Sequence, residues 1–472
     1  MVKTKEVRNS SISHLNQVSN PSLDELLVKN GCNRKSSLTL YVPRKVKIDE
    51  ILEQNPPDFK YHRDCFVYIL HLIFSIPSKR KNSLDNSNEY TLINGKLLQK
   101  RIHDYKKYIT YLRDFGIIVR SPNYIPGKKS YGYKFTNQYN SAIVSIEITK
   151  WTLIKSIQKN NGQINNSKTE DLKFLRSWYD ENLKVDFISG KRHLRQEYKK
   201  DLKKDLKSTP GQRYNTRLVP FLKIHDNNYS FHVDNKGYRL HTNLTQLKSS
   251  LRKYTKYNGK DLYAVDIVNC QPLLSVSLLE RGGLIKNKIH QKIINSNITE
   301  SELSNLVSEI ENEPDVIEFK KIVSSGKFYE CFGATLVEKN LIKKSSQKEI
   351  RDEAKDITFF TFFSPNTSIA YNEAIEIFKV SFPNVYKVFS FIKKGRNKHN
   401  SLAIALQRLE AELVLLKACK ILHILKPRAP IFTIHDSIIT TKENVELVKL
   451  ILSVVLEKQI GISPNLKVEK WA

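Results

Sequence analysis

Cysteine is scarce in this chain of 472 residues, and its few copies are widely spaced. The five cysteines lie at least 33 positions apart, so the sequence holds no Cys-x-x-Cys pair. Zinc fingers and dithiol redox sites need close pairs, and a disulfide framework is typical of small secreted chains. We therefore expect free thiols and a protein of an intracellular, reducing compartment.

Long apolar runs are also lacking. Residues 1–16 are polar, and the longest nearly apolar run, residues 66–76, has 11 residues and includes His71. A signal peptide needs an apolar core near its start, and a membrane helix needs about 20 apolar residues. The sequence predicts neither, so we expect no membrane partner.

Acidic residues are outnumbered, with 48 Asp and Glu against 78 Lys and Arg, which gives a formal net charge of +30. This excess favours a polyphosphate partner, nucleic acid first among them. The alternative is codon bias, because AT-rich genomes over-use Lys, Asn and Ile. A hydrophobic content of 40% excludes wholesale disorder, and the length predicts about three folded units.

The N-terminal third has two parts. Residues 1–58 are rich in Ser, Asn and Lys and predict a flexible or loosely packed arm. Residues 59–169 predict a helix over 65–76, a helix over 97–115 ended by Gly116, and short strands over 117–120 and 131–135. Two helices and a basic hairpin outline a winged helix, a DNA-binding form; a plain packing subdomain is the alternative.

Cations dominate residues 170–236. Lys191, Arg192 and Arg195 precede the run 198–207, which carries five more lysines on a helix-forming stretch. A solvated helix face is the ordinary outcome for such a run. Because the run lies beside the basic stretch 211–214, we favour a clamp on a nucleic-acid backbone.

Two aspartates lie at the ends of strand-like segments. The apolar run 261–268 carries Asp266 near its end, and the segment 429–441 predicts strand, tight turn and strand with His435 and Asp436 at the turn. A charge in such a run costs several kcal/mol unless it is compensated. Mg²⁺ would compensate two neighbouring carboxylates, whereas either Asp alone would serve as a turn or strand cap.

A stripe of cations and rings lies between these segments. Arg351, Lys355, Phe359 and Phe363 recur every four residues and so share one helix face until Pro365 ends the helix. A triphosphate would fit the cationic turns while a base stacks on the rings. The alternative is an amphipathic helix whose rings belong to the core.

In this order the three segments resemble motifs A, B and C of the family A DNA polymerases. Motif A supplies Asp266, and motif C resembles His-Asp-Glu at residues 435–437. The Arg-x3-Lys-x3-Phe-x3-Tyr frame of motif B is met except at its Tyr, where this chain has Phe363. The stretches 237–244 and 405–412 are similar to the family's primer-contacting segment and to the helix before motif C. The resemblance spans residues 237–472.

The resemblance implies two Mg²⁺ ions, with Mn²⁺ as a substitute, a DNA primer-template and nucleoside triphosphates. It implies Asp266 and Asp436 as metal ligands and catalytic residues together with Lys355. It also implies a set of nucleotide-binding residues and a set of residues that contact the primer-template. To the second set we add three cations of the basic helix. The first set is Arg351, Lys355, Phe359, Phe363 and Gln271; the second is Arg239, Gln407, His435, Lys191, Arg192 and Arg195.

The departures from the family concern the sugar. A family Glu five residues after the motif A Asp is Gln271 here, and the motif B Tyr is Phe363, which has no hydroxyl to donate. At the position after His435 and Asp436 this chain has Ser437, which is the residue that single-subunit RNA polymerases have there. We favour dNTPs, with weak sugar discrimination; an RNA or primer polymerase is the alternative. No Asp-x-Glu pair of the exonuclease kind is present, so no proofreading is expected.

Two further alternatives belong to other classes: a non-catalytic DNA-binding replication initiator, and a metal nuclease. The resemblance implies an α+β right-hand fold with an antiparallel palm sheet, helical fingers and thumb, and the pattern of residues 59–169 adds a small winged-helix-like module before it. A polymerase of a plasmid, phage or other mobile element would suit such a module.

The expected divisions are arm 1–58, module 59–169, thumb-like region 170–236, palm 237–280, fingers 281–400, and palm with the C-terminal strand 401–472.

Overall fold

The computed structural model describes residues 37–79, 90–122, 125, 129–160, 170–204, 209–294, 297–343 and 345–472. Most of the arm predicted over residues 1–58 lies outside this part. Residues 38–54 instead pack as strand β1 (Leu38–Pro43) and helix α1 (Ile48–Gln54), with Tyr41 fully buried. β1 pairs antiparallel with residues 143–148. Because that partner is remote in the chain, local composition gave no sign of it.

The predicted helix over residues 65–76 is confirmed as α2 (Arg63–Ser78). Its residues from Asp64 to Ser75 are all buried, which is the pattern of a helix inside a core rather than on a surface. His71 accepts a hydrogen bond from the Tyr41 backbone N–H at 3.1 Å, and burial lowers the pKa of its ring to about 3. The polar residue of the apolar run is therefore a neutral, structural histidine.

A small sheet and two short helices follow: β2 (Thr91–Leu92), α3 (Gly95–Gln99), α4 (Tyr105–Asp114), β3 (Ile118–Arg120) and β4 (Gly132–Phe135). The strand order is β2-β4-β3, and the two predicted strands are confirmed in β3 and β4. The single helix predicted over 97–115 is wrong, because the chain leaves the helix between α3 and α4 to bury Ile102.

The next segment joins the N-terminal part to the rest of the chain. It contains β5 (Ile143–Ile148), α5 (Trp151–Asn160), α6 (Lys173–Arg176), β6 (Leu183–Val185), α7 (Phe187–Asp201), α8 (Pro210–His225) and β7 (Phe231–Val233). α8 contacts both α2 and α7. Gly190 permits the α7 contact, because a Cβ there would lie 2.3 Å from the Phe221 ring.

An antiparallel sheet forms the centre of the C-terminal half. The elements are β8 (Leu240–Thr242), α9 (Asn243–Gln246), α10 (Ser249–Arg252), β9 (Thr255–Tyr257) and β10 (Lys260–Ile267). The long strand β10 pairs at its start with β9 and further on with two late strands, residues 437–441 on one side and 466–470 on the other. β9 in turn pairs with β6, so the basic region contributes an edge strand.

Helices fill the chain between β10 and those late strands: α11 (Cys270–Ser275), α12 (Arg281–Lys286), α13 (Ile289–Lys292), α14 (Glu300–Ile310), α15 (Pro314–Ser324), α16 (Phe328–Glu338), α17 (Gln347–Phe363), α18 (Glu373–Ser381), α19 (Pro383–Ile392), α20 (Ser401–Ala411) and α21 (Cys419–Leu425). A π-helical segment, Glu412–Ala418, links the last two. β11 (Phe432–Ile434), β12 (Ser437–Thr441), α22 (Val445–Ile460) and β13 (Leu466–Lys470) complete the chain.

The architecture is thus a mixed α and β fold with antiparallel sheets. The strand over 261–268, the strand-turn-strand over 429–441 and the helix ended by Pro365 are each confirmed. The described cysteines, Cys65, Cys270, Cys331 and Cys419, are free thiols. None of the helices in the described part of the chain combines the length and hydrophobicity needed to cross a bilayer.

Candidate active site

The register of the central sheet brings Asp266 and Asp436 together. Asp266 lies opposite Ser437 in the antiparallel pair β10–β12, and Asp436 is the residue just before Ser437. Asp436 and His435 form the two-residue turn between β11 and β12, with His435 at a positive φ of 54°. Neighbouring strands lie about 5 Å apart, so the two carboxylates share one end of the sheet.

The charge balance at this end of the sheet is unfavourable for Asp436. Burial, with the carboxylates of Glu410 and Asp266 nearby, raises the pKa of Asp436 to about 7, and the Arg239 cation only partly opposes this. The buried Cys270 thiol lies against Asp436, and burial followed by this carboxylate raises its pKa. Cys270 is therefore a protonated neighbour that can donate to Asp436, not a nucleophile.

A third carboxylate, Glu410 on α20, is held by two predicted site residues. Arg239 grips it with two bonds, Nε to Oε1 at 2.9 Å and a terminal N–H to Oε2 at 2.6 Å. The Gln271 side-chain amide donates to Oε2 at 2.8 Å. Only 2% of the Glu410 surface is exposed. This network ties β8, α11 and α20 together beside Asp436.

Asp266 has its own neighbours. The Ser437 hydroxyl donates to its carboxylate across the β10–β12 pair. The Arg252 guanidinium on α10 lies near Asp266: burial lowers the pKa of Arg252, and the Asp266 carboxylate opposes this. Directly after β10, Asn269 has a positive φ of 52° and is buried, and both polar atoms of its side chain lack a partner among the described residues. An amide left in this state lies where a ligand would satisfy it.

The stripe on α17 is present and lies on the less buried side of the helix, with Phe363 packed against the edge of the core. Ile350, Ala354, Thr358 and Phe362 form the buried side, whereas Lys355 is exposed and Phe359 and Phe363 are partly exposed. The rings of Phe359 and Phe363 stack with centroids 6.0 Å apart, and the Lys355 ammonium lies 5.8 Å from the Phe359 ring centre. The predicted order of cations and rings therefore exists on one surface.

Arg351 is partnered within the protein. Its Nε donates to Glu330 Oε1 at 2.8 Å, and its guanidinium lies over the Tyr329 ring at 5.5 Å from the centre. Both partners come from α16, which packs along α17. An incoming phosphate group would therefore compete with Glu330 for this cation.

Tyr329 links the two halves of the site. It is buried, with 3% of its surface exposed, and burial followed by the nearby Cys270 and Asp436 raises the pKa of its hydroxyl. The same ring lies against Arg351. The phenol therefore lies between the α17 cations and the acidic end of the sheet. Tyr329 was missed by the sequence analysis, because it belongs to a segment with no matching motif.

Glu410 was also missed, although a signal existed. It follows Leu402, Leu406 and Leu409 on the buried side of α20, where a carboxylate needs a partner. The predicted Gln407 lies on the same helix and packs against the backbone of Gly237, where a Cβ would approach its Oε1 to 2.5 Å. The His435 ring lies 6.3 Å from that of His241, which follows Arg239 closely in the chain.

The basic helix α7 lies further from the carboxylates. Arg192 and Arg195 are exposed, and Lys191 lies over the Phe187 ring at 5.3 Å. Glu197 of α7 bonds to Lys248 at 2.8 Å and to Ser250 at 3.0 Å, which places α7 against the segment that carries Arg252. The structure thus connects this helix to the site through α10 and not by direct contact with Asp266 or Asp436.

The donor set suits a hard cation bound jointly with a substrate. Among the described residues no cluster of three or more His, Cys, Asp or Glu has the arrangement of a protein-only metal site. Mg²⁺ commonly uses one or two carboxylates plus substrate phosphates and water, so Asp266 and Asp436 suffice. The raised pKa of Asp436 marks a deficit of positive charge that such a cation would remove.

The comparisons with known proteins are sparse. No family model matches the chain, and no curated protein matches it. Among solved structures, it is similar to the polymerase domain of Pol1 from M. smegmatis, in a complex with DNA primer-template and dNTP. The identity is 9% and the TM-score 0.42, with 85% of this chain and 81% of that chain covered. So distant a likeness assigns no activity, and function has to be argued from the residues.

Replacing Asp436 with Asn should stabilise the metal-free protein at pH 8. There the carboxylate is ionised, and the costs of its burial and of its repulsion from Glu410 and Asp266 are fully present. The Asn removes a penalty of up to about 4 kcal/mol, since one pKa unit corresponds to about 1.4 kcal/mol. Thermal unfolding with EDTA measures the change. Asp261→Asn, which removes an exposed carboxylate paired with Lys470 at 2.8 Å, is the control and should not stabilise. A lower unfolding temperature for Asp436→Asn would contradict the charge balance described.

Truncating Glu410 should have the opposite effect. Glu410→Ala leaves Arg239 and Gln271 without their shared partner and should cost about 2–4 kcal/mol of unfolding free energy. Glu412→Ala is the matched control, because Glu412 pairs with Lys292 and Lys417 but keeps 30% of its side chain exposed. Urea unfolding of both variants provides the comparison. Equal losses would mean that the network around Glu410 carries no special stability.

Proposed function

We propose that the protein is a template-directed nucleotide polymerase, and specifically a DNA-dependent DNA polymerase without a proofreading exonuclease. The observation that carries the proposal is the pairing of β10 with β12, which sets Asp266 beside Asp436, together with the cation-and-ring stripe of α17. The Tyr329 side chain lies between them, near Arg351 and near Asp436. Carboxylates for a metal ion, cations for phosphates and rings for a base match what a metal-bound nucleoside triphosphate presents.

In this proposal Asp266 and Asp436 hold two Mg²⁺ ions, with Mn²⁺ as a substitute. The ions would lower the pKa of the primer 3′-hydroxyl and neutralise charge on the transferring phosphoryl group. Asp436 suits that task, because its carboxylate is crowded by like charge and gains most from a cation. Ser437, by donating to Asp266, fixes the orientation of the other carboxylate.

The helix α17 binds the nucleotide. Lys355 is exposed, so its ammonium can reach an outer phosphate and neutralise charge as it develops there. Arg351 first has to exchange its bond with Glu330 for a bond with phosphate, which makes it a residue that changes partner on binding. Phe359 and Phe363 present stacked rings at the end of the stripe, where a base would lie.

The primer-template lies, in this proposal, along the side that carries Arg239, Gln407 and His435. Arg239 is bonded to Glu410. It therefore acts on the primer terminus as much by fixing the shape of this side of the site as by direct contact. The exposed cations of α7, Arg192 and Arg195 with Lys191, bind the duplex backbone further away. Base pairing with the template, not the protein, then selects each nucleotide.

Sugar choice is the finer part of the proposal. Gln271 is buried and donates to Glu410, so a carboxylate lies beside the position where the family has its own Glu. Phe363 cannot donate a hydrogen bond. We assign dNTPs as the substrates, with discrimination weaker than that of a site with the family's Glu and Tyr. A polymerase that uses rNTPs to make RNA or primers is the second candidate, which the Gln271 and Phe363 positions favour.

The polymerase proposal is tested by extension of a short hairpin primer-template with Mg²⁺ and either dNTPs or rNTPs. The wild type should extend with dNTPs in preference to rNTPs. Asp266→Asn and Asp436→Asn should each abolish extension and leave hairpin affinity nearly unchanged, whereas Asp261→Asn on the same strand should stay active. Extension that survives both of the first two variants would refute the catalytic assignment.

The same assay separates the other classes. A replication initiator with no catalytic site would bind the hairpin and never extend it. A metal nuclease would shorten labelled hairpin with Mg²⁺ in the absence of any nucleotide, and this activity would also depend on Asp266 and Asp436. Either result would overturn the polymerase assignment.

Lys355 should affect the chemical step more than assembly of the fold. Lys355→Ala should lower kcat for nucleotide addition by about 10²–10³-fold, the usual effect of removing one prepositioned charge at a developing anion. Lys348→Ala is the matched control, because Lys348 is an exposed lysine on the same side of α17, two turns closer to the start of the helix. Single-turnover extension measures both. An equal effect of the two variants would show that general positive charge, not position 355, matters.

A further inference from the structure

A second basic surface lies in the small module that follows α2. The described residues between 90 and 136 contain nine Lys or Arg and two acidic residues, Asp104 and Asp114, whereas the whole chain has 78 against 48. The ratio of basic to acidic residues is therefore higher here than in the chain as a whole. The nine cations are Lys96, Lys100, Arg101, Lys106, Lys107, Arg113, Arg120, Lys129 and Lys134.

The helix α4 divides sharply into two faces. Tyr108, Ile109, Tyr111 and Leu112 are buried, and the rings of Tyr108 and Tyr111 lie 4.6 and 5.2 Å from that of Phe66 on α2. The opposite face carries Lys106, Lys107, Thr110 and Arg113, all exposed. Positions 106, 110 and 113 follow the helical repeat, so they form one continuous stripe. No described element covers this stripe.

The hairpin β3–β4 lies next to α4 and is basic as well. Arg120 is exposed, and its guanidinium lies over the Tyr131 ring at 4.4 Å from the centre. Lys134 lies over the Tyr90 ring at 4.8 Å. A ring beneath a cation holds the side chain extended along the hairpin surface. The cations of α4 and of the hairpin therefore present two adjoining basic edges.

The order of elements is informative. A core helix α2 is followed by β2, by the helices α3 and α4, and then by the hairpin β3–β4, whose strand β4 pairs with β2. In helix-turn-helix proteins the second helix of the pair enters the major groove, which is wide enough to admit it. Here that helix is α4, and its solvent face holds Lys106, Lys107, Thr110 and Arg113 with one carboxylate, Asp114, in its last turn. A hairpin beside it reaches the flanking phosphates.

We propose that the module formed by α2, α3, α4 and β2–β4 binds duplex DNA, with α4 in the major groove and the β3–β4 hairpin on the backbone. This site is separate from the carboxylate site and does not require the proposed polymerase activity. The module is firmly joined to the chain, because the other side of α2 contacts α8 and β1. A duplex bound at α4 is therefore held in a fixed relation to the central sheet.

A closed DNA dumbbell tests the proposal, because it has no 3′ end and no single-stranded template for the carboxylate site. Lys106→Ala combined with Arg113→Ala should weaken dumbbell binding at least about tenfold and reduce the salt dependence of log K by about 1–2. Lys426→Ala combined with Arg428→Ala removes the same charge from an exposed loop and is the control. An equal effect of both pairs, or no effect of the first, would overturn the proposal.

Two further measurements keep the outcomes distinct. The Lys106 and Arg113 variant should unfold at the wild-type temperature and extend a short hairpin normally if that activity exists, whereas Asp266→Asn should bind the dumbbell like the wild type. An RNA duplex of the same length should bind more weakly, because its deep and narrow major groove excludes a helix. Equal or tighter binding of RNA would replace the DNA assignment with recognition of double-stranded RNA.

Discussion

Like charge concentrated at one end of the central sheet is the constraint on which the candidate site depends. The β10–β12 register places Asp266 next to Asp436, and helix α20 places the Glu410 carboxylate near Asp436 as well. The fold compensates only part of this charge: Arg239 and Gln271 satisfy Glu410, and Ser437 donates to Asp266. Asp436 is left crowded. In the proposed function, a cation bound at this end of the sheet would restore the stability that the uncompensated carboxylate costs the metal-free protein.

The Arg239–Glu410 pair does more than balance charge. It connects the strand β8 to the helix α20, and through Gln271 it reaches the turn after β10, so three segments far apart in the chain meet on one buried carboxylate. A bidentate pair has a narrow range of geometry and so fixes direction as well as distance. The orientation of the site is thereby set by polar contacts, while apolar packing supplies most of the stability.

Sequence patterns predicted the elements that carry the acids and cations, because the apolar run of β10, the turn at 435–436 and the four-residue spacing on α17 are local signals. What they missed depends on remote contacts. Residues 38–54 gain their order from β5, and α3 and α4 separate so that Ile102 can be buried. The reason for a buried carboxylate at Glu410 is clear only from its two hydrogen bonds with Arg239. Tyr329 has no pattern of its own, and only the packing of α16 on α17 reveals it.

Tyr329 provides a hydroxyl near the carboxylates, whereas Phe363 has none. The rings of Phe359 and Phe363 stack on each other at the far end of α17, whereas the phenol of Tyr329 lies near Asp436 and Cys270 and under Arg351. Burial keeps that phenol protonated, so it remains a hydrogen-bond donor across the range of pH in which the protein is folded. This end of the sheet therefore has a phenolic donor nearby, and α16 supplies it. Because the same ring contacts Arg351, Tyr329 joins the Arg351–Glu330 pair to the surroundings of Asp436.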